Sequence, residues 1–179
     1  MNAKEEQAII IDYLPYGYPL EKKMMPIAQA IGTKNFTLLE LVPRRGIKLE
    51  IGEEVYIGEG KRDKVYYILG KLVFSKISET AKQFLEQYIE KQIEKDEKRF
   101  VDFFNNALPI NTRLHQLELV PGFGKKHTQA IIDERQKKPF DSFEELKQRI
   151  GNLPDPKTAI VKRITEELKG EERHYLFIR

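Results

Sequence analysis

The chain has 179 residues and 40% of them are hydrophobic, which is enough for one large domain or two small ones with their own cores. Its 31 Lys and Arg residues and 28 Asp and Glu residues leave a net charge of only +3, which excludes a histone-like polycation and confines any nucleic-acid surface to a local patch. The lack of cysteine excludes disulfides, thiolate metal sites and cysteine catalysis.

The amino terminus and the histidines exclude further classes. The first 15 residues lack the basic region, apolar core and cleavage site of a signal peptide, and no apolar run approaches the length of a membrane span. His115, His127 and His174 are not spaced as metal ligands. We therefore expect a cytoplasmic protein with no membrane contact, no cofactor and no metal site.

Residues 1–78 carry strand signals. Apolar or β-branched runs alternate with turn clusters such as GTKN, PRRG and GEGKRDK. The predicted strands are residues 8–13, 26–31, 36–42, 54–58 and 64–74. Strands this short and this closely spaced predict a small barrel. The segment KLEIGEEVYIG is similar to the strand entry of OB and related RNA-binding barrels, and an SH3-like barrel is the alternative.

Aromatic side chains are dense in this half, and cations lie in or near the turns between them. Aromatic rings interleaved with cations suit single-stranded nucleic acid, because bases stack and phosphates are charged. A small barrel also needs large side chains inside, so we assign more than half of these rings to the core or to satisfied surface positions. The best candidates for contact are Tyr16 and Tyr18 in the loop LPYGYP, with Arg44 and Arg45.

Residues 79–108 predict a long connecting helix. Apolar residues recur every three or four positions, Thr80 and Gln83 have the spacing of a capping box, and the middle, EKDEKR, is almost wholly charged. A helix of this length spans roughly 40 Å at 1.5 Å per residue. We expect its ends to dock on the two domains and its middle to be solvated.

The strongest functional signal is LELVPGFGKKHTQAIIDER, residues 117–135. Pro121 ends a first helical pattern, and Gly122 and Gly124 allow a sharp turn and a close approach that a Cβ would block. Lys125 opens a second helix, whose first N–H groups lack partners and can bind a phosphate. Lys125 and Lys126 add positive charge where the helix dipole disfavours it, which indicates a bound anion.

This stretch resembles the helix-hairpin-helix family, with Thr128 where that family usually has alanine. Phe123 is expected to pin the turn to the core. The candidate nucleic-acid-binding residues of this half are Gly122, Phe123, Gly124, Lys125, Lys126, Arg135, Lys137 and Lys138. Such hairpins also serve as structural or protein-docking elements, and these roles are the alternatives to binding.

A second hairpin is predicted at GNLPDPK, after a helix capped by Ser142 and Glu145. Leu153 stands in place of one glycine, and Pro154 and Pro156 remove amides, so this copy is degenerate and phosphate binding is not expected there. Residues 109–170 are thus predicted to form an all-α tandem helix-hairpin-helix domain. Residues 171–179 are predicted to be a short strand or a tail.

The segments QAIGTKNFTLLELVPRRG, ALPINTRLHQLELVPGFGKK and KPFDSFEELKQRIG together resemble an archaeal family, domain of unknown function 655, which is described as predicted RNA-binding. The resemblance covers nearly the whole chain. It implies an α+β protein in which a barrel is joined to a helix-hairpin-helix domain, but no activity. The phosphate contacts that the resemblance implies for this chain are limited to Gly122, Gly124, Lys125 and Lys126.

The leading hypothesis is a non-enzymatic nucleic-acid-binding protein, with the hairpin on backbone phosphates and the barrel as a second surface. Backbone contacts do not distinguish RNA from DNA; the barrel and the archaeal resemblance favour RNA. One alternative is a DNA-repair protein or DNA-processing enzyme, since DNA glycosylases use this hairpin. Its candidate aspartates, Asp141 and Asp155, stand at ordinary cap and turn positions. The other alternative is a protein-docking adaptor.

Overall fold

The computed structural model describes residues 4–178. Its contacts divide the described chain into two compact units, one made of residues 4–85 and 166–178, the other of residues 86–165. The first unit contains a curled antiparallel sheet and the second is mainly helical. The fold is therefore mixed α+β, as predicted.

The sheet of the first unit has five strands in the spatial order β4-β1-β2-β3-β5. The strands are β1 Gln7–Leu14, β2 Ile27–Gly32, β3 Leu38–Pro43, β4 Glu54–Tyr56 and β5 Val65–Lys71. The prediction of five strands is confirmed, with ends displaced by at most three residues. Within residues 4–178 no strand pairing joins the edges β4 and β5, so the predicted barrel is confirmed only as a half-barrel.

One face of the sheet carries the core of this unit. Side chains two apart on a strand share a face, so Ala8 and Ile10, Ala28 and Ala30, and Leu39 and Leu41 face the same way. All six are buried, together with side chains from the β3–β4 connection and the edge strands. The small alanines in adjacent strands leave room for the sheet to curl around the larger side chains. The buried apolar runs therefore set the strands, and the alanines among them favour the curvature of the sheet.

The predicted connecting helix is two helices, so the prediction of one unbroken helix is wrong. Helix α1 spans Glu79–Lys95 and α2 spans Glu97–Asn106, with a break at Asp96, whose φ is −125° and ψ is 47°. No side chain of residues 94–99 is buried, so no apolar core contact at the break holds the two segments to one axis. The first turn is capped by Ser78, whose Oγ accepts from the Ala81 N–H at 3.1 Å, and not by Thr80.

After α2, the second unit contains a short β-hairpin, which the all-α prediction for residues 109–170 missed. Strands β6 Pro109–Asn111 and β7 Leu114–His115 pair antiparallel. The turn between them is closed by the Asn111 Oδ1, which accepts from the Arg113 N–H at 2.8 Å. Leu114 is therefore extended, and the helical pattern predicted before Pro121 is only the 3₁₀ turn Gln116–Leu119.

The remaining helices follow the predicted order. Helix α3 spans Lys125–Lys137, α4 spans Phe143–Arg149 and α5 spans Pro156–Leu168. Helix α4 begins at the predicted cap, where the Ser142 Oγ accepts from the Glu145 N–H at 3.0 Å. Residues 171–178 form no strand, and the carboxylate of Glu167 holds them through the N–H groups of Leu176, Phe177 and Ile178.

Candidate nucleic-acid interface

The turn at residues 120–124 contains two glycines that differ in what the fold requires of them. Gly122 has a φ of +84°, and a Cβ at this position would lie 3.1 Å from the Cγ of Pro154, so backbone and packing both require glycine. Gly124 has a φ of −100° and a ψ of −171°, which any residue adopts. A Cβ at Gly124 would meet no heavy atom within 4 Å. The fold therefore does not require glycine at 124, where its effect is to keep the approach to the next amides open.

Those amides lie at the start of α3. Gly124 is the N-cap and makes no side-chain capping bond, and the first bond into the helix runs from the Thr128 N–H to the Gly124 carbonyl at 3.0 Å. Among residues 4–178, no acceptor pairs with the N–H groups of Lys125, Lys126 and His127. Open donors at the positive end of a helix dipole are suited to an anion such as a phosphate oxygen.

Other clusters of N–H groups in the described chain are occupied by the chain's own carboxylates. Glu5 accepts from the N–H groups of Lys34, Asn35 and Thr37 at 3.0, 2.8 and 3.3 Å. Glu167 accepts from three consecutive amides near the carboxyl end. The start of α3 has the same kind of donors without an internal carboxylate, which leaves it available to an external anion.

Within residues 122–138, the structure separates the five predicted basic contacts into two groups. Lys125 and Lys126 are exposed, and neither ammonium forms an ion pair with any residue that the structure describes. Lys137 pairs with Glu134 at 2.5 Å, and Lys138 pairs with Asp141 at 3.4 Å and Glu145 at 3.6 Å. The Arg135 Nη1 donates to the Phe104 carbonyl at 3.0 Å, and burial lowers the pKa of its guanidinium. The cations that remain available lie at the turn.

Phe123 is a core residue of the turn. Its side chain is 4% exposed, and its ring centroid lies 5.7 Å from that of Phe104 and 6.0 Å from that of His127. The His127 Nε2 in turn lies 3.1 Å from the Asn152 carbonyl. A buried ring cannot reach a ligand, so Phe123 positions the turn, as the sequence indicated, and does not extend the contact surface.

His115, before the 3₁₀ turn, is a structural cap that the sequence did not reveal. The His115 Nδ1 accepts from the Leu117 backbone N–H at 3.1 Å, and the His115 backbone N–H donates to the Glu118 carboxylate at 2.8 Å. Burial lowers the pKa of the imidazole, the Arg135 charge lowers it further, and Glu118 acts in the opposite direction. The folded state therefore favours neutral His115.

The second turn, residues 151–155, is closed to anions. Asp155 caps α5 by accepting from the N–H and hydroxyl of Thr158 at 3.0 and 2.8 Å, and its carboxylate lies 3.7 Å from the Lys147 ammonium. Burial raises the pKa of Asp155, but these contacts outweigh burial and hold the pKa below its usual value. An ionised carboxylate at this helix start repels a phosphate. Both aspartates of the enzyme alternative thus make structural contacts, since Asp141 pairs with Lys138.

In the half-barrel, the two predicted tyrosines differ in exposure. Tyr16 is 72% exposed in the β1–β2 loop. The Tyr18 hydroxyl accepts from the Gln29 Nε2 at 3.3 Å, and the Lys76 ammonium lies 4.8 Å from the ring centroid. Burial raises the pKa of Tyr18 to about 12. Tyr16 is therefore open to a ligand, whereas Tyr18 is tied to the sheet and one of its ring faces is covered.

The predicted arginines of the half-barrel also differ. The Arg44 Nε donates to the Arg62 carbonyl at 2.7 Å, so Arg44 stabilises the loop that contains Arg62. Arg45 is exposed and pairs with no carboxylate of the described chain. Sequence reasoning did not select Tyr66 and Tyr67 of β5, which are 63% and 37% exposed. Their adjacency in a predicted strand was the available signal. Because side chains alternate between the faces of a sheet, one of two adjacent tyrosines is expected on the outer face.

Two further classes of site are absent from residues 4–178. No helix there is both long and apolar enough to cross a membrane. No group of three or more His, Cys, Asp or Glu side chains in that part of the chain could hold a metal ion.

Comparison with known proteins gives family matches over nearly the whole chain. A family model described as "Protein of unknown function (DUF655)" matches residues 4–179. The uncharacterized protein MJ0038 of Methanocaldococcus jannaschii is 42% identical over 177 residues, which are 98% of this chain and 80% of that protein. The crystal structure of Af1531 from Archaeoglobus fulgidus, also a DUF655 protein, is 44% identical, covers 98% of this chain and 100% of its own, and superposes with a TM-score of 0.84.

Proposed function

We propose that this chain, which belongs to the DUF655 family, is a non-enzymatic nucleic-acid-binding protein that holds backbone phosphates at the turn from Gly122 to Lys126. The observation that carries the proposal is Gly124, where neither backbone conformation nor packing calls for glycine. A missing Cβ at this position benefits a group that approaches the amides of α3 from outside. The unpaired Lys125 and Lys126 supply charge at the same place.

We interpret the 3₁₀ turn and α3 as a helix-hairpin-helix, with α4 and α5 as its degenerate second copy. The first copy supplies binding and the second supplies packing, since Pro154 lies against Gly122 and Asp155 caps α5. We interpret the half-barrel as an OB-like second contact surface, with Tyr16 and Arg45 as its open candidates from the sequence. Exposed aromatic rings favour RNA, which is recognised largely through unpaired bases.

Replacing both Lys125 and Lys126 by alanine tests the proposal. We expect weaker binding to RNA of any sequence, and a slope of log affinity against log salt that is lower by about 1 to 2 units, because two phosphate contacts are lost. Lys137→Ala with Lys138→Ala is the matched control, since it changes the net charge equally but removes ion-paired lysines. Equal losses in both double variants, or no change in the first, would show that the turn is not the contact.

A protein-docking adaptor is the second candidate, and a specific observation favours it. Leu20 is 98% exposed and Met24 is 80% exposed in the β1–β2 loop. Apolar side chains that protrude in this way are typical of surfaces that another protein covers. The two lysines at the turn have no role in that function, so the salt experiment separates the two candidates.

A further inference from the structure

The edge strand β5 contains two bulges in its pairing with β3. Val42 pairs with Tyr67 and Pro43 with Val65, so Tyr66 has no partner in the register. Leu41 pairs with Ile68 and Glu40 with Gly70, so Leu69 has none either. Both extra residues lie in the solvent-facing part of the strand, with exposures of 63% and 45%.

The first bulge changes where the two tyrosines point. In a regular strand, successive side chains face opposite sides of the sheet, and one of Tyr66 and Tyr67 would be inside. Here both are exposed, and their ring centroids lie 5.3 Å apart with an angle of 70° between the planes. The Tyr67 hydroxyl lies 3.7 Å from the Met25 Sδ of the β1–β2 loop. The bulge thus presents a pair of rings supported by a neighbouring loop.

The bulges also indicate how a partner would bind. A regular edge strand can accept another strand through its backbone, but bulges interrupt that pairing. An occupant of this edge therefore meets side chains, and the side chains on offer are aromatic. A protein strand added to β5 is disfavoured, while a ligand with flat rings fits.

The charges around the tyrosine pair suit a polyanion. Lys22 and Lys23, just before Met25, are exposed and make no ion pair with the described residues, and the same holds for Arg45. The loop that carries Arg45 adjoins the start of β5, since the Arg44 N–H donates to the Lys64 carbonyl at 2.8 Å. Two exposed carboxylates lie in the same region, Asp63 and Glu21, and Glu21 is neutralised by Lys76 at 3.0 Å. The three unpaired cations outnumber the remaining carboxylate, so the surroundings are net positive.

Building on the proposed function, we infer that the nucleic acid bound is single-stranded and that its bases stack on Tyr66 and Tyr67. Lys22, Lys23 and Arg45 then lie near the phosphates that flank the stacked bases. A duplex keeps its base faces inside and cannot use this surface. Stacking on aromatic side chains accepts any base, because every base has a π face, so the surface selects strandedness and not sequence.

The test uses the absence of tryptophan from the chain. Tyr66→Trp creates a protein with one tryptophan, whose emission is quenched when a base stacks on it. We expect a mixed-sequence single-stranded RNA decamer to quench this emission strongly and a duplex of the same sequence to quench it little. Tyr175→Trp, at a tyrosine of the same unit that is 43% exposed, is the matched control and should respond to neither.

Affinity measurements complete the test. Replacing Tyr66 and Tyr67 together by alanine should weaken binding of the single-stranded decamer at least about tenfold, with the duplex unaffected. Replacing both by phenylalanine should retain binding, and thermal melting checks that each variant is folded. Full single-strand affinity in the alanine pair, equal loss for duplex, or a Tyr66→Trp protein whose emission stays unquenched would overturn this inference alone. If the unmodified protein binds neither RNA at low salt, the proposed function fails as well.

Discussion

At the scale of single residues, Thr128 has an unsatisfied hydroxyl. Its side chain is 6% exposed, and its Oγ1 has no hydrogen-bond partner in residues 4–178. A buried hydroxyl in this state costs about 1–3 kcal/mol. Thr128→Val keeps the shape and the β-branch but removes the polar atom, so we expect the free energy of unfolding to rise by about 1 kcal/mol in urea titrations.

The control for Thr128 is Thr165→Val. The Thr165 hydroxyl donates to the Val161 carbonyl at 2.9 Å, so its removal loses a hydrogen bond and should give no gain in stability. A Thr128→Val protein that is less stable than the unmodified protein would contradict the prediction and would mean that the hydroxyl has a partner in solution.

His115 predicts a dependence of stability on pH. Burial, and then the Arg135 charge, lower the pKa of the folded imidazole, so between that pKa and the unfolded value of about 6.5 the unfolded chain binds more protons. Stability from this group is therefore complete above pH 6.5 and is lost as the pH falls through the folded pKa. His115→Asn keeps an acceptor for the Leu117 N–H but does not titrate.

The measurement for His115 is the free energy of unfolding of both proteins at pH 7.5, 6 and 5. We expect the stability of the unmodified protein, relative to His115→Asn, to decrease as the pH is lowered. A difference that stays constant over this range would mean that the imidazole titrates alike in the folded and unfolded chain.

At the scale of elements, the turn before α3 predicts opposite outcomes for its two glycines. Gly122→Ala places a side chain at a φ of +84° and against Pro154, so we expect a loss of about 1–3 kcal/mol in stability. Gly124→Ala meets neither obstacle, and the cost of alanine at an N-cap should stay below about 1 kcal/mol. We expect this variant to bind nucleic acid more weakly, because the added Cβ restricts access to the open amides.

The comparison of the two glycine variants is made well below their melting temperatures, so that binding is measured on folded protein. Urea unfolding gives the stabilities and fluorescence anisotropy with labelled RNA gives the affinities. If Gly124→Ala keeps full affinity, the amides of α3 are not the phosphate contact, whatever the lysines do.

Local signals in the sequence were sufficient to predict the elements that depend mainly on their own residues. The strands follow from buried apolar runs, and the need for glycine at 122 follows from the turn between Pro121 and α3. The break at Asp96 was not predictable, because a charged run has the same helical propensity whether or not packing holds it straight. The hairpin of β6 and β7 is too short to show a period of two.

The candidate site was predictable in position but not in detail. The segment of residues 120–126 identified the turn, because glycine, proline and lysine have fixed local consequences there. The sequence did not show that Lys138 is held by Glu145, since that ion pair depends on where α4 lies. Nor did it show that Tyr66 and Tyr67 share an exposed edge, because bulges depend on the register with β3.

At the scale of the whole molecule, charge is the limiting quantity. A net charge of +3 over 179 residues gives little long-range attraction, so affinity for a polyanion must come from local groups. These groups are present on both units, as the open amides and lysines at the start of α3 and as the exposed tyrosines with their cations in the half-barrel. We therefore expect the tightest binding where both sets of contacts are used, weaker binding through the α3 turn alone, and marked sensitivity to salt in both cases.

This expectation leads to a prediction about what co-purifies with the full chain. Protein prepared at low salt should carry RNA, detected as absorbance at 260 nm that ribonuclease removes and deoxyribonuclease does not, and high salt should release it. Ultraviolet cross-linking followed by mass spectrometry should find contacts on both units, at residues 122–126 and at the exposed tyrosines, because backbone contacts alone give the half-barrel no role. Recovery of duplex DNA only, with cross-links confined to the turn, would replace RNA binding with a role in DNA maintenance. Recovery of defined protein partners and no nucleic acid would favour the docking adaptor, with Leu20 and Met24 as its expected contacts.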